Sequence, residues 1–267
     1  MMTISTAQFP ALFYRKFGEG PAVVLLHGFP ESGVLWQDVW PALSQHFTVI
    51  VPDLPGSGQS SRGNDKVSME SMAAGINAIF EAENIDRAVL SGHSMGGYVA
   101  QAFAELYSHK VAGLSMVHSS ALADDNEKKA TRKKVIDLIR KGGKDTFIKQ
   151  MVPALFSPQT HIDRPGIIEK QVESGLKLDA ESMIAYYEAM LERPERRQML
   201  QTSALPAQWI IGRDDNTIPF TIGLQQCTLA LVNFVSVYNK CGHMSMLENR
   251  DHLVNDLVDF ADYCNNR

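Results

Sequence analysis

The stretch Arg87-Ala88-Val89-Leu90-Ser91-Gly92-His93-Ser94-Met95-Gly96-Gly97-Tyr98-Val99-Ala100-Gln101-Ala102-Phe103-Ala104 changes its hydrophobic period half-way along. Arg87 to Ser91 is a short apolar run of strand type, whereas Gly97 to Ala104 has the pattern of a helix. The Gly-x-Ser-x-Gly pattern of Gly92 to Gly96 falls at the changeover, where a sharp turn lifts one serine hydroxyl clear of the backbone. A turn of that kind forces unfavourable backbone angles on Ser94 and brings strand and helix close together. Small neighbours relieve the crowding, and Gly92, Gly96 and Gly97 supply them.

Outward from this turn, strand-like runs alternate with helical ones. The strands are expected at Leu12 to Phe17, Ala22 to His27, Phe47 to Asp53, Ala88 to Ser91, Val111 to Val117, Gln208 to Gly212 and Phe234 to Tyr238. Helices are expected at Val34 to Ser44, Ser68 to Glu83, Met95 to Tyr107, Phe220 to Leu231 and Leu247 to Tyr263. Such alternation predicts an α/β fold, a mostly parallel central sheet with helices on both faces.

From Ser120 to Ser203 the alternation stops. This part is helix-patterned and punctuated by Pro153, Pro158, Pro165 and Pro194, which predicts an inserted helical unit at 120–203 on a core of 1–119 and 204–267. The charge run Asp124-Asp125-Asn126-Glu127-Lys128-Lys129 reads as a solvated helix face. Phe147, Met151, Leu155, Phe156, Tyr186, Tyr187 and Met190 read as inward-facing, some packing on the core and some lining a cavity.

Composition narrows the partners. With 267 residues, 45% of them hydrophobic and 21% charged, the chain can bury a sizeable core. A formal net charge of -5 leaves no basic excess for nucleic acid. Neither a leader-like apolar run at Met1 to Phe17 nor a later run of the ~20 apolar residues that span a bilayer is visible, so no membrane partner and a soluble, cytoplasmic protein are expected. Cys227, Cys241 and Cys264 are odd in number and widely spaced, the pattern of buried thiols in a reducing compartment. Cys241 and His243 lack a second Cys/His pair at zinc-site spacing, and no metal is expected.

A serine hydroxyl becomes a strong nucleophile only when a base takes its proton, and the base needs an acid to fix its tautomer and orientation. His243 is the candidate base, because it follows Gly242 just after the strand ending at Tyr238, where a loop leaves the carboxyl edge of the sheet. His27 and His93 sit in glycine-bearing turns beside the site and read as structural. His46, His109, His118, His161 and His252 have no such setting, although His118 ends a strand. The acid is sought in Gly212-Arg213-Asp214-Asp215-Asn216-Thr217-Ile218-Pro219, which leaves the strand end at Ile211 and offers Asp214 or Asp215. An oxyanion formed in acyl transfer needs two fixed N–H donors. The backbone of Met95 offers one; that of Phe29 offers the other, in a turn where Gly28 permits close approach and Pro30 has no N–H. The turn Asp53 to Ser60 lacks the lysine of a phosphate loop and reads as structural.

Taken together, these motifs resemble the α/β-hydrolase superfamily over nearly the whole chain. His27-Gly28-Phe29-Pro30 is similar to its oxyanion turn, Asp53 to Ser60 to its Asp-x-x-Gly-x-Gly-x-Ser turn, Gly92 to Gly97 to its nucleophile elbow, and Gly242-His243 with Glu248 to its histidine loop. In the family's acid loop the aspartate commonly stands four residues before a proline, which favours Asp215 over Asp214. The resulting order Ser94, Asp215, His243 is that of the family. The insertion near Ser120 occupies the place of the family's helical cap. His27 to Ser32 also resembles the epoxide-hydrolase and haloalkane-dehalogenase branches, but those attack with an aspartate where this chain has Ser94. A serine attacking an alkyl carbon would leave an inert ether, so acyl chemistry is favoured.

The resemblance thus implies a serine hydrolase of the carboxylesterase type, needing no cofactor and acting on small-molecule esters of small or medium, mainly apolar character. Trp36, Phe147, Met151, Tyr186, Tyr187 and Met244 are the expected pocket walls. Carbon–carbon bond hydrolysis, lyase chemistry or cofactor-free peroxidation on the same three residues stay open at this stage. So does a ligand-sensing role with slow turnover.

Overall fold

Strands β1 (Met2–Ile4), β2 (Leu12–Phe17), β3 (Ala22–Leu26), β4 (Thr48–Pro52), β5 (Ala88–His93), β6 (Val111–Val117), β7 (Ala207–Gly212) and β8 (Asn233–Tyr238) form one sheet in the order β1-β2-β4-β3-β5-β6-β7-β8. The computed structural model describes residues 1–63 and 65–266. β1 pairs antiparallel with β2 and β2 with β4, and the remaining pairings are parallel. Every residue of β3, β5 and β6 is buried, as expected of parallel strands covered on both faces. All expected strands are present with ends moved by at most two residues; β1, three largely exposed residues at the sheet edge, is additional.

Helix Met69–Glu83 starts at Ser68, whose Oγ accepts from Ser71 N–H at 3.0 Å while Ser71 Oγ accepts from Ser68 N–H at 2.8 Å. This reciprocal cap satisfies N–H groups that a helix start leaves open. It packs against helix Met95–Leu106, which lies on β3, β5 and β6. Three expected helices are shorter or divided. Val34 to Ser44 resolves into a 3-10 turn at Gly33–Trp36 and a short helix at Trp40–Leu43, where Pro41 sits in the first turn, the position that tolerates proline. Phe220–Gln226 stops before Leu231, and the last helix is split at Asn249, whose φ of -136° and ψ of 42° are not helical.

Between β6 and β7 the chain runs through helices Asn126–Arg140, Lys144–Met151, Pro158–Asp163, Pro165–Gly175, Ala180–Glu192 and Arg197–Thr202. Pro158 and Pro165 each stand in a first turn, so these prolines start helices rather than break them. The insertion lies over the carboxyl edge of the sheet and is fastened there by hydrogen bonds: His243 N–H donates to Leu155 O at 2.7 Å, and Arg164 donates to Leu247 O and Glu248 O at 2.9 Å each. Among the described residues no helix is long and apolar enough to cross a membrane.

Candidate active site

Ser94 follows β5 directly and has φ 49° and ψ -115°, a backbone conformation that L-residues avoid. Close packing of the turn holds it there: a Cβ on Gly92 would lie 2.4 Å from Gly96 O, and one on Gly96 would lie 2.5 Å from His27 O and Leu26 O. Ser94 N–H donates to Val117 O at 2.9 Å, and Ser94 O accepts from Gly97 N–H at 3.0 Å and Ser119 Oγ at 2.7 Å. With its backbone fixed on both sides, the half-buried Ser94 side chain faces a cavity of about 210 Å³ beneath the insertion, which His243 also lines.

His243 and Asp215 come from the loops after β8 and β7, adjacent parallel strands, and are 2% and 5% exposed. His243 Nδ1 lies 2.8 Å from Asp215 Oδ2, and Asp215 Oδ1 accepts from Thr217 N–H at 2.8 Å and Ile218 N–H at 2.9 Å. Burial works to raise the Asp215 pKa, but the charge of His243 and hydrogen bonds from His118 and His243 outweigh it and hold the carboxyl well below the usual range. An ionised Asp215 fixes the proton of His243 on Nδ1 and leaves Nε2 as the basic nitrogen. Asp214 is half-exposed, with no side-chain hydrogen bond among the described residues.

The His27–Pro30 turn lies against Ser94, since a Cβ on Gly28 would stand 3.1 Å from Ser94 Cβ. Phe29 lines the cavity, and its N–H has no protein acceptor among the described residues. Met95 opens its helix, so its N–H has no intrahelical partner either. His27 is structural: its Nε2 accepts from Leu54 N–H at 2.9 Å, which places the proton on Nδ1, 2.8 Å from Gly28 O, and burial pushes its pKa down. His93 also stays behind the site, with Nε2 2.9 Å from His243 O.

Of the expected pocket walls, Met151 and Tyr187 line the cavity. Trp36, Tyr186 and Met244 do not. Trp36, fully buried, belongs to the 3-10 turn packed on β3 and β4. Tyr186 and Tyr187 are consecutive on a helix and so point about 100° apart, and of the two Tyr187 lines the cavity. Tyr186 instead donates to Pro55 O at 2.7 Å, and burial pushes its pKa up. Met244, next to His243 in the histidine loop, is fully buried in the core. Phe147 stands one layer back, edge-on to Tyr187 with ring centroids 5.8 Å apart.

The charge run is likewise only partly solvated. Asp124 is 5% exposed and ion-paired with Arg132 and Arg193, and Lys128 and Arg132 line the cavity. Sequence reasoning also passed over His118, which follows β6 as Ser94 follows β5; its Nδ1 lies 3.1 Å from Asp215 Oδ2. Its place at the carboxyl end of a strand was the signal available. His118, Asp215 and His243 form the only group close enough for metal ligation among the described residues, and both imidazole Nδ1 atoms are engaged with the carboxylate. A wider cleft of about 870 Å³ near Arg87, His109 and Val111 lies at the opposite, amino edge of the strands.

A mostly parallel sheet of this order, carrying a serine on the strained turn after β5 and covered by helices inserted after β6, defines an α/β hydrolase. The chain belongs to the α/β hydrolase fold family, whose model matches residues 21–250. It is similar over its full length to a thermophilic esterase from Thermogutta terrifontis, with a TM-score of 0.94, 27% identity and 99% of each chain covered. It is 26% identical over 256 residues to the pimeloyl-[acyl-carrier protein] methyl ester esterase of Pseudoalteromonas atlantica, covering 92% of this chain and 96% of that protein. To an uncharacterized protein of Mycobacterium bovis it is 37% identical over 112 residues, and that match spans 42% of this chain and 33% of the relative.

Proposed function

We propose that the chain is a serine esterase of the carboxylesterase type, with Ser94 as nucleophile, His243 as base and Asp215 as acid. The observation that carries this reading is the 2.8 Å Asp215–His243 contact beside Ser94, with both Ser94 and His243 on one cavity. His243 Nε2 takes the proton as Ser94 Oγ attacks the ester carbonyl, and the N–H groups of Phe29 and Met95 stabilise the oxyanion. Collapse expels the alcohol, which receives the proton from His243. Water then attacks the acyl-serine with His243 again as base, so ester and water become acid and alcohol. Asp215 stabilises the imidazolium that forms in each half. Both full-length relatives are named as esterases, which supports the class of bond broken.

A cavity of about 210 Å³ is smaller than the ~300–1,000 Å³ typical of sites for drug-sized ligands, and favours a small ester. Phe29, Met151, Leu155 and Met190 supply apolar walls for its carbon chain. Nitrophenyl esters of rising chain length, run on wild type, Ser94→Ala and His243→Ala, test the proposal. Short esters are expected to be cleaved fastest, and both variants to lose nearly all turnover. Wild-type rates in Ser94→Ala would overturn it.

A further inference from the structure

Ester chemistry as proposed leaves one wall of the cavity without a task. Lys128 and Arg132 stand one turn apart on helix Asn126–Arg140, so they share a face, and that face lines the cavity. The nearby carboxylate, Asp124, is divided between Arg132 and Arg193, the latter 3.0 Å away. Arg193 does not line the cavity: its guanidinium lies 3.9 Å from the Tyr98 ring centroid and donates to Met190 O at 2.7 Å and Leu122 O at 2.9 Å. Arg132 donates through Nε to Asp124 and through Nη1 to Met190 Sδ at 3.3 Å, while its Nη2 has no protein acceptor among the described residues. The half-buried Lys128 ammonium has one protein acceptor there, Thr217 O at a long 3.4 Å, and no carboxylate within 4.0 Å.

Two arginines thus share one buried carboxylate and Lys128 pairs with none, and it is Arg132 and Lys128, each with unused donors, that line the cavity. Withdrawing a cation from water costs free energy unless an anion or good acceptors replace the water. A ligand carboxylate is such an anion: it accepts from a guanidinium and an ammonium together, in charge-assisted hydrogen bonds.

We propose that this wall binds a carboxylate belonging to the substrate, so that the natural substrate is a small ester carrying one carboxylate, held by Lys128 and Arg132 with its carbonyl at Ser94. The bond broken rests on the esterase reading above; the anion site does not.

The test compares monoethyl succinate, with the carboxylate on the acyl half, and butyryloxyacetate, with it on the alcohol half, against the neutral diethyl succinate and ethyl butyrate. At least one anionic ester is expected to exceed its neutral counterpart in kcat/KM by about ten- to a hundredfold, the range that a charged hydrogen bond supplies. Added salt should narrow the ratio. Lys128→Met should collapse it and Lys128→Arg should restore much of it, whereas Lys134→Met, the same charge loss at an exposed position of the helix, should keep it. Equal kcat/KM for anionic and neutral esters, or an unchanged ratio in Lys128→Met, would overturn the proposal. Calorimetry of monoethyl succinate on Ser94→Ala separates the two readings. If wild type cleaves no ester, the esterase reading fails, and tighter binding of the half-ester than of the diester still establishes the anion site, while equal binding removes it.

Discussion

Asp53 and Asp215 are two buried carboxylates at the same edge of the sheet, 1% and 5% exposed, following β4 and β7. Each is bonded on both oxygens. Asp53 Oδ1 accepts from Arg15 at 2.8 Å and Gly33 N–H at 2.9 Å, and its Oδ2 accepts from Gln59 N–H at 2.9 Å. Asp215 takes two backbone N–H groups on Oδ1 and two imidazoles on Oδ2. The difference lies in the partner. Arg15 is 6% exposed and permanently charged, so its pair with Asp53 is a fixed staple between β2 and the turn after β4. His243 can gain and lose a proton, and it lines the cavity that Ser94 faces. Burial and complete hydrogen bonding are thus common to both carboxylates; of the two, the one proposed as the acid has a titratable partner that leads out to the cavity of Ser94.

The comparison is broken most directly by removing one negative charge at each site. Asp215→Asn is expected to lower kcat on nitrophenyl esters by about 10⁴-fold with the fold retained, because its amide N–H₂ meets His243 Nδ1 and forces the wrong tautomer. Asp214→Asn should stay within about twofold, since that side chain bonds nothing that orients His243. The reverse ranking would move the acid to Asp214. Asp53→Asn should instead lose about 3–5 kcal/mol of stability, the cost of leaving a buried Arg15 unpaired, while the folded fraction turns over at the wild-type rate. Denaturant midpoints measured beside ester turnover decide this. Lost turnover at unchanged stability would make Asp53 a functional group and dissolve the contrast.

Glu248, a third buried carboxylate, tests an intermediate case. Its Oε2 accepts from Gly242 N–H at 2.8 Å in the histidine loop, and its Oε1 accepts from Ser157 N–H at 2.8 Å and Thr160 Oγ1 at 2.7 Å in the insertion. It thus joins the two segments that enclose the cavity. Glu248→Gln replaces one acceptor by a donor, leaves a buried N–H unpaired, and should cost about 1–3 kcal/mol. Turnover should fall several-fold with it, as His243 loses its support. A stable variant with unaltered kcat would show that the histidine loop holds itself.

These contrasts were unequally legible in the sequence. β3, β5 and β6 were easy to read, because strands covered on both faces are continuous apolar runs. The positions of Ser94, Asp215 and His243 could be read as strand-end loops that parallel topology brings to one edge. The cavity wall was harder. Lys128 lies in a charge run, and charge alone does not tell which face of a helix the rest of the chain will cover. Adjacent Tyr186 and Tyr187 could not be sorted until the helix phase was known. His118 carried the same strand-end signal as His243; what the sequence lacked was the register of β6 and β7, which sets Leu114 to Val117 beside Ala207 to Ile210 and brings His118 to Asp215.

The smallest expected effect belongs to His118 and sharpens the comparison on the Asp215 side. Burial lowers its pKa below that of a free imidazole, against the opposing pull of Asp215, so it serves as a neutral Nδ1–H donor. Its folded pKa therefore lies below the unfolded value of about 6.5, and the unfolded chain takes up the proton first as pH falls. The stability it contributes is complete above about pH 6.5 and declines below it until the depressed folded pKa is reached, by at most about 1.4 kcal/mol per pH unit. His27, shifted the same way by burial, adds a slope of its own. His118→Asn keeps an N–H donor but has no proton to take up. Urea midpoints between pH 7.5 and 5.5 should fall less steeply in this variant than in wild type, and its kcat should drop only several-fold, far short of Asp215→Asn. An unchanged slope would mean that His118 is protonated when folded, and Asp215 would then be neutralised by a fixed cation much as Asp53 is.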